Sequence, residues 1–185
     1  MYIHKIKISA CIALLLLTPI ILSSCQSKNS PRPVLNFTEL YEAGNLNKLT
    51  LTVYIARPVL TTIPWSIDTL TKGTFGSDDL VSRYIIRNVD FTEHVDLLIQ
   101  LDSVCLTPPD QGTPRIDARF HYIFEASGRA FTVSGWGHIN GYSSIFVNGV
   151  EVRDIPIFYE VVIPFLPEHV VEQLERRIER MVNIS

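Results

Sequence analysis

Between Ile116 and Gly137, apolar and polar residues alternate on both sides of one small turn. Ile116, Ala118, Phe120, Tyr122 and Phe124 take every second position, and Asp117, Arg119, His121, Ile123 and Glu125 fill the places between. A period of two sends successive side chains to opposite faces of a strand. A helix would scatter the same aromatic set around its axis. Ser127-Gly128 then supplies a turn, and Ala130 to Gly137 runs back. With two residues in the turn, Phe124 lies opposite Phe131, Tyr122 opposite Val133 and Phe120 opposite Gly135. The apolar sets then coincide on one face, and a slip of one residue would destroy that match. The other face pairs His121 with Ser134, Arg119 with Trp136 and Asp117 with His138. A chain containing this hairpin needs an antiparallel sheet with one face turned to a core.

The flanking segments extend that sheet. Ser144 to Val147 and Val150 to Val152 surround Asn148-Gly149, a dipeptide suited to the turn of a two-residue hairpin because both positions need positive φ. Upstream, Leu49, Leu51, Val53 and Ile55 alternate with Thr50, Thr52, Tyr54 and Ala56 between Lys48 and Arg57, which predicts a strand ended by Pro58. Tyr84 to Val89 is a further candidate strand. Short helices are expected over Thr38–Ala43, stopped by Gly44, and over Ile67–Lys72, capped by Ser66 and stopped by Gly73. Ser77 suits the cap of another, with Asp78 and Asp79 in its first turn. Asp90 suits the cap of a helix from Phe91 to about Leu101. Ile157 to Ile163, between Pro156 and Pro164, is apolar on both faces and fits a central strand or a buried helix equally. Pro167 opens a last helix, with Val170, Leu174, Ile178 and Met181 on one stripe. The expected fold is α+β: a small antiparallel sheet of two hairpins plus further strands, four to six in all, with amphipathic helices packed on it.

The N-terminus is of another kind. Lys5 and Lys7 precede an apolar run from Ile8 to Leu22, broken only by Ser9, Thr18 and Pro19. Fifteen residues are short for a hydrocarbon core about 30 Å thick, and they suit the apolar part of a signal peptide. The run closes on Leu22-Ser23-Ser24-Cys25, an aliphatic residue, two small residues and a cysteine. This resembles the lipobox of bacterial lipoproteins. The resemblance implies a signal peptide over 1–24, cleavage before Cys25, and diacylglycerol carrying palmitate-type chains on the Cys25 thiol. Two acyl chains anchor stably where one holds marginally. It also implies the extracytoplasmic face of a bacterial membrane. Gln26 stands where an Asp would favour inner-membrane retention, so the outer membrane is expected in a host that has one. Residues 25–33 then form a lipidated, Pro-bearing tether, and 34–185 a single domain.

Residues 26–185 number 160, enough for one core. Of 16 Lys and Arg, two leave with the leader, so 14 face 19 acidic residues, a balance of −5. Nucleic acid is not an expected partner, because it calls for a basic face. Cys11 leaves with the leader and Cys25 carries lipid, so Cys105 stands alone and no internal disulfide is expected. Its apolar neighbours Val104 and Leu106 predict a buried thiol.

The chemical templates are sparse. Cys-x-x-Cys, His-x-His and His-Glu-x-x-His are missing, so neither metal nor cofactor is expected. Gly-x-Ser-x-Gly is missing too. Gly135-Trp136-Gly137 with Gly141 departs from a dinucleotide fingerprint, since its third glycine is one residue late and a strand follows. Asp78-Asp79 reads as cap chemistry. One constellation remains: Asp117, Arg119, His121, Trp136 and His138 on the outer face of the first hairpin. An Asp–His pair beside an Arg and an aromatic suits a small polar ligand or acid–base chemistry. The plainer reading is a solvated sheet face with Arg119 stacked on Trp136.

Three readings follow. The chain is a lipid-anchored, non-catalytic domain that binds an envelope protein or a small polar ligand. Alternatively it is an envelope hydrolase built on Asp117, His121 and His138, which requires these groups to converge in a concave site. As a third class it is an assembly component docking through the last helix, which requires the Val170–Met181 stripe to be exposed.

Overall fold

The computed structural model describes residues 34–56, 65–72, 80–87, 91–109, 117–137 and 144–183. The leader and tether, Gly73, the expected Ser77 helix, the Asp90 cap and His138 lie outside the described residues. Chain order is α1 (Phe37–Glu42), a 3₁₀ turn (Leu46–Lys48), β1 (Thr50–Ala56), α2 (Ile67–Lys72), β2 (Val81–Arg87), a 3₁₀ turn (Phe91–His94) and α3 (Val95–Ser103). Then come β3 (Asp117–Ala126), β4 (Arg129–Gly137), β5 (Ser144–Val147), β6 (Val150–Val152), α4 (Ile157–Glu160), a 3₁₀ turn (Ile163–Phe165) and α5 (Glu168–Val182).

The strands form one six-stranded sheet in the order β2-β1-β3-β4-β5-β6, with every neighbouring pair antiparallel. The fold is therefore α+β, as expected. Both hairpin turns need left-handed backbone at both central positions. Ser127 and Gly128 adopt φ 51° and 76°, and Asn148 and Gly149 adopt φ 50° and 82°. The Asn148 side chain adds a contact of its own, accepting the Thr132 N–H at 2.9 Å.

The core lies on the face predicted from the hairpin. Leu51, Val53 and Ile55 of β1 stand beside Phe124, Tyr122 and Phe120 of β3, and Phe131, Val133 and Gly135 of β4 continue the rows. Ile145 and Val147 of β5 and Val152 of β6 complete that face. Burying a side chain of this size contributes about 1.5–3 kcal/mol. Phe37 of α1, Leu98 and Leu101 of α3, Phe158 and Tyr159 of α4, and Val170 and Leu174 of α5 cover it. Phe37 is fully buried and meets the rings of Phe124 and Phe131 edge-on at 5.2 and 5.5 Å. Asn36 Oδ1 accepts the Glu39 N–H at 2.6 Å and so caps this helix. Ile157–Ile163 contains helix and not strand: α4 takes Ile157–Glu160, 161–162 form a turn, and Ile163 opens the following 3₁₀ turn. An apolar run buried all round satisfies its backbone by local bonds there, Tyr159 N–H to Pro156 O at 2.8 Å among them.

The outer face is half covered. Tyr54 and Ala56 of β1, Ala118 of β3, Trp65 and Leu70 form a second, smaller buried cluster under α2. Trp65 and Leu70 flank the Ser66 cap as N′ and N4 residues, the spacing of a hydrophobic staple. Ser66 Oγ accepts the Thr69 N–H at 3.0 Å.

Two expectations are corrected. The β3–β4 register holds from Ala126 to Phe120 and then breaks at a bulge. Ala118, not Arg119, pairs with Trp136, and Asp117 pairs with Gly137, not His138. The extra residue turns the small Ala118 toward α2, where it is buried with Trp65 and Leu70. Cys105 is exposed rather than buried. The segment after α3 is extended, so Val104 and Leu106 pack on the core while Cys105 between them points away.

Candidate functional site

The predicted constellation separates into two groups. At the start of β3, Asp117 accepts the Trp65 N–H through Oδ1 at 3.1 Å and pairs with the Arg119 guanidinium. The next residue completes the clamp, for the Ala118 N–H donates to the Trp65 carbonyl at 2.8 Å. Trp65 is thus held on both sides of its backbone by the bulged end of β3. The Arg119 guanidinium carbon sits 5.9 Å from the centroid of the Trp65 ring. Trp65 is thus an aromatic neighbour of Arg119, and the rung opposite Trp136, expected for Arg119, is taken by Ala118 because of the bulge. The Asp117 and Arg119 side chains dock α2 on the sheet and are 18% and 26% exposed.

His121 belongs to a second arrangement, a row crossing the sheet. Arg83 of β2, Tyr54 of β1, His121 of β3, Ser134 of β4, Phe146 of β5 and Glu151 of β6 stand side by side. The Arg83 guanidinium carbon lies 5.4 Å from the Tyr54 centroid. Tyr54 stacks on the His121 ring at 6.1 Å, and His121 Nδ1 shares a hydrogen bond of 2.9 Å with Ser134 Oγ. Burial pushes the His121 pKa down to about 4, opposed in part by a hydrogen bond to the Val133 backbone. The imidazole is therefore neutral at pH 7. The Ser134–His121 distance is that of a nucleophile and its base. Both side chains are buried, however, with Tyr54 closing one face of the ring.

The structure thus brings Asp117 and Arg119 together around Trp65, and sets His121 between Tyr54 and Ser134. Trp136 stands on a rung between Ala118 of β3 and Ser144 of β5. Trp65 is the residue that sequence reasoning missed, and its signal was available as an aromatic just before a serine cap with Leu70 at the staple position.

A third polar cluster was also missed. The Tyr159 hydroxyl donates to Asp154 Oδ2 at 3.0 Å, and Arg177 Nη2 lies 3.6 Å from the same oxygen. The Arg177 guanidinium carbon is 5.1 Å from the Tyr159 centroid. Tyr159 is fully buried, and that burial holds its phenol well above the usual range. The cluster ties α4 to α5. Asp154 and Tyr159 are five residues apart, but Arg177 comes from α5, so no local pattern announced the cluster.

No group of three or more His, Cys, Asp or Glu side chains is placed to hold a metal ion among the described residues, and no helix among them is long and apolar enough to cross a membrane. No protein-family model matches the chain, and no curated protein or solved structure matches it.

Proposed function

We propose that this chain is a bacterial lipoprotein, held at the envelope through Cys25, whose domain binds a partner without catalysis. The observation that carries the reading is Leu22-Ser23-Ser24-Cys25 after a basic, then apolar, leader. The start of the domain supports it. Val34 is exposed and bridges to Ala130, while Leu35 and Phe37 are buried at 2% and 0%. The chain is therefore tied into the fold from Leu35 onward, only ten positions after Cys25. The eight residues 26–33 span at most about 28 Å, which keeps the domain close to the bilayer.

Two further observations favour binding over the other readings. His121 is buried and neutral, and Asp117 is engaged by Trp65 and Arg119, so neither is presented to a substrate. Val170 and Leu174 are 2% and 4% exposed, so that part of the α5 stripe is used inside the domain rather than offered for assembly. Expression of wild type and Cys25→Ala in a bacterial host, with detergent-phase partitioning and intact mass, tests the anchor. Wild type should enter the detergent phase with residues 1–24 lost and lipid added, and the variant should lose the modification. Two lipid-free, aqueous proteins would refute it.

A further inference from the structure

The two edges of the sheet are unlike. β6 is three residues long, and beyond it the Arg153 N–H donates to the Thr107 carbonyl at 2.9 Å. β2 is seven residues long and has a strand partner on one side only among the described residues. A long open edge presents a row of backbone donors and acceptors to any extended chain. On its outer face, β2 shows Arg83, Ile85 and Arg87 at every second position, all exposed, with Ile85 at 44%. Neither arginine joins an ion pair among the described residues. On its inner face, Tyr84 and Ile86 are half-buried against the rim of the core.

We infer that the β2 edge is a docking site for an extended segment of another protein, added as a seventh strand, with acidic residues opposite Arg83 and Arg87 and apolar residues between them. The residues opposite Tyr84 and Ile86 would extend the core, because cross-strand neighbours share a face. The carboxylates opposite the arginines would supply the charge complement and set the register. The same arginines disfavour a second copy. An antiparallel pairing centred on Ile85 places Arg83 of each chain directly opposite Arg87 of the other, and like charges so placed repel. Main-chain bonds would give the affinity and the alternating side chains the selectivity. The inference rests on the binding part of the proposed function and not on the anchor.

The probe is a fluorescein-labelled peptide, Gly-Glu-Val-Thr-Val-Glu-Gly. Its pattern reads alike in both directions, so strand polarity does not affect the match. A control carries Lys in place of both Glu. Fluorescence anisotropy with the full chain in detergent micelles should show saturable binding of the acidic peptide and about tenfold weaker binding of the control. The double variant Arg83→Glu with Arg87→Glu should invert that preference. Arg83→Gln with Arg87→Gln, which introduces no repulsion, should lose about tenfold for the acidic peptide while keeping the wild-type circular dichroism. Amide exchange should slow within residues 81–87 when the acidic peptide is added. Equal binding of both peptides, no saturation up to millimolar concentration, or failure of the inversion in a folded variant would overturn the inference. So would a concentration-dependent dimer in sedimentation that protects the same amides, since a second copy would then be the occupant. Anchor failure is read separately, from the mass of the Cys25→Ala pair.

Discussion

Acidification is expected to destabilise this domain through one side chain, His121. In the folded protein its pKa lies at about 4, against 6.5 for the free side chain, because burial between Tyr54 and Ser134 penalises the imidazolium. Above pH 6.5 the ring is neutral in both states and pH has no hold on it. Below 6.5 the unfolded chain takes up a proton that the folded chain refuses. Stability is therefore lost as pH falls from 6.5, and the loss levels off below the folded pKa of about 4. At about 1.4 kcal/mol per pH unit over that interval, the loss is about 3 kcal/mol. A domain of ordinary stability holds about 5–15 kcal/mol, so the effect is large. The assay is urea unfolding of wild type and His121→Gln between pH 7.5 and 3.5. Carboxylates titrate alike in both proteins and cancel in the difference. Wild type should lose about 3 kcal/mol more than the variant across the range, and the imidazole resonance that His121→Gln removes should titrate near pH 4 in the native protein. Parallel stability curves, or a His121 imidazole titrating near 6.5, would refute the burial argument.

Two further outcomes test the packing. Leu174→Ala should cost about 2–5 kcal/mol in chemical denaturation, because the side chain is 4% exposed within the core under α5. A near-neutral result would mean that α5 is not packed on the sheet. Ser127→Asn should raise thermal stability by roughly 0.5 kcal/mol, since Ser127 sits at φ 51° in a turn that asparagine tolerates better. A lowered melting temperature would count against this turn geometry.

The hairpin register was legible from Phe120 to Ala126 because two faces of different polarity leave one alignment that buries every aromatic. It failed at Arg119 because a bulge is decided by what lies across the sheet. Ala118 turns toward α2, and α2 lies 46 to 51 positions earlier in the chain. The candidate site broke up for the same reason. An alternating sequence places Asp117, Arg119 and His121 on one face, but it does not say that Trp65 will occupy the first two and Tyr54 and Ser134 the third. Cys105 misled because apolar neighbours suggest burial, whereas in extended chain they suggest it only for every second residue.

Periodicity, turn dipeptides and caps are local, so the sequence alone determined the α+β class, both hairpins, the core face and the last helix. The lipobox is local too, and the anchoring proposal depends on nothing else. Tertiary structure decided that Ile157–Glu160 is helical, that β1 is buried on both faces, that Asp154, Tyr159 and Arg177 meet, and that β2 ends the sheet among the described residues with Arg83 and Arg87 exposed. Each of those is settled by which distant surfaces exclude water from one another, and no window along the chain contains that information.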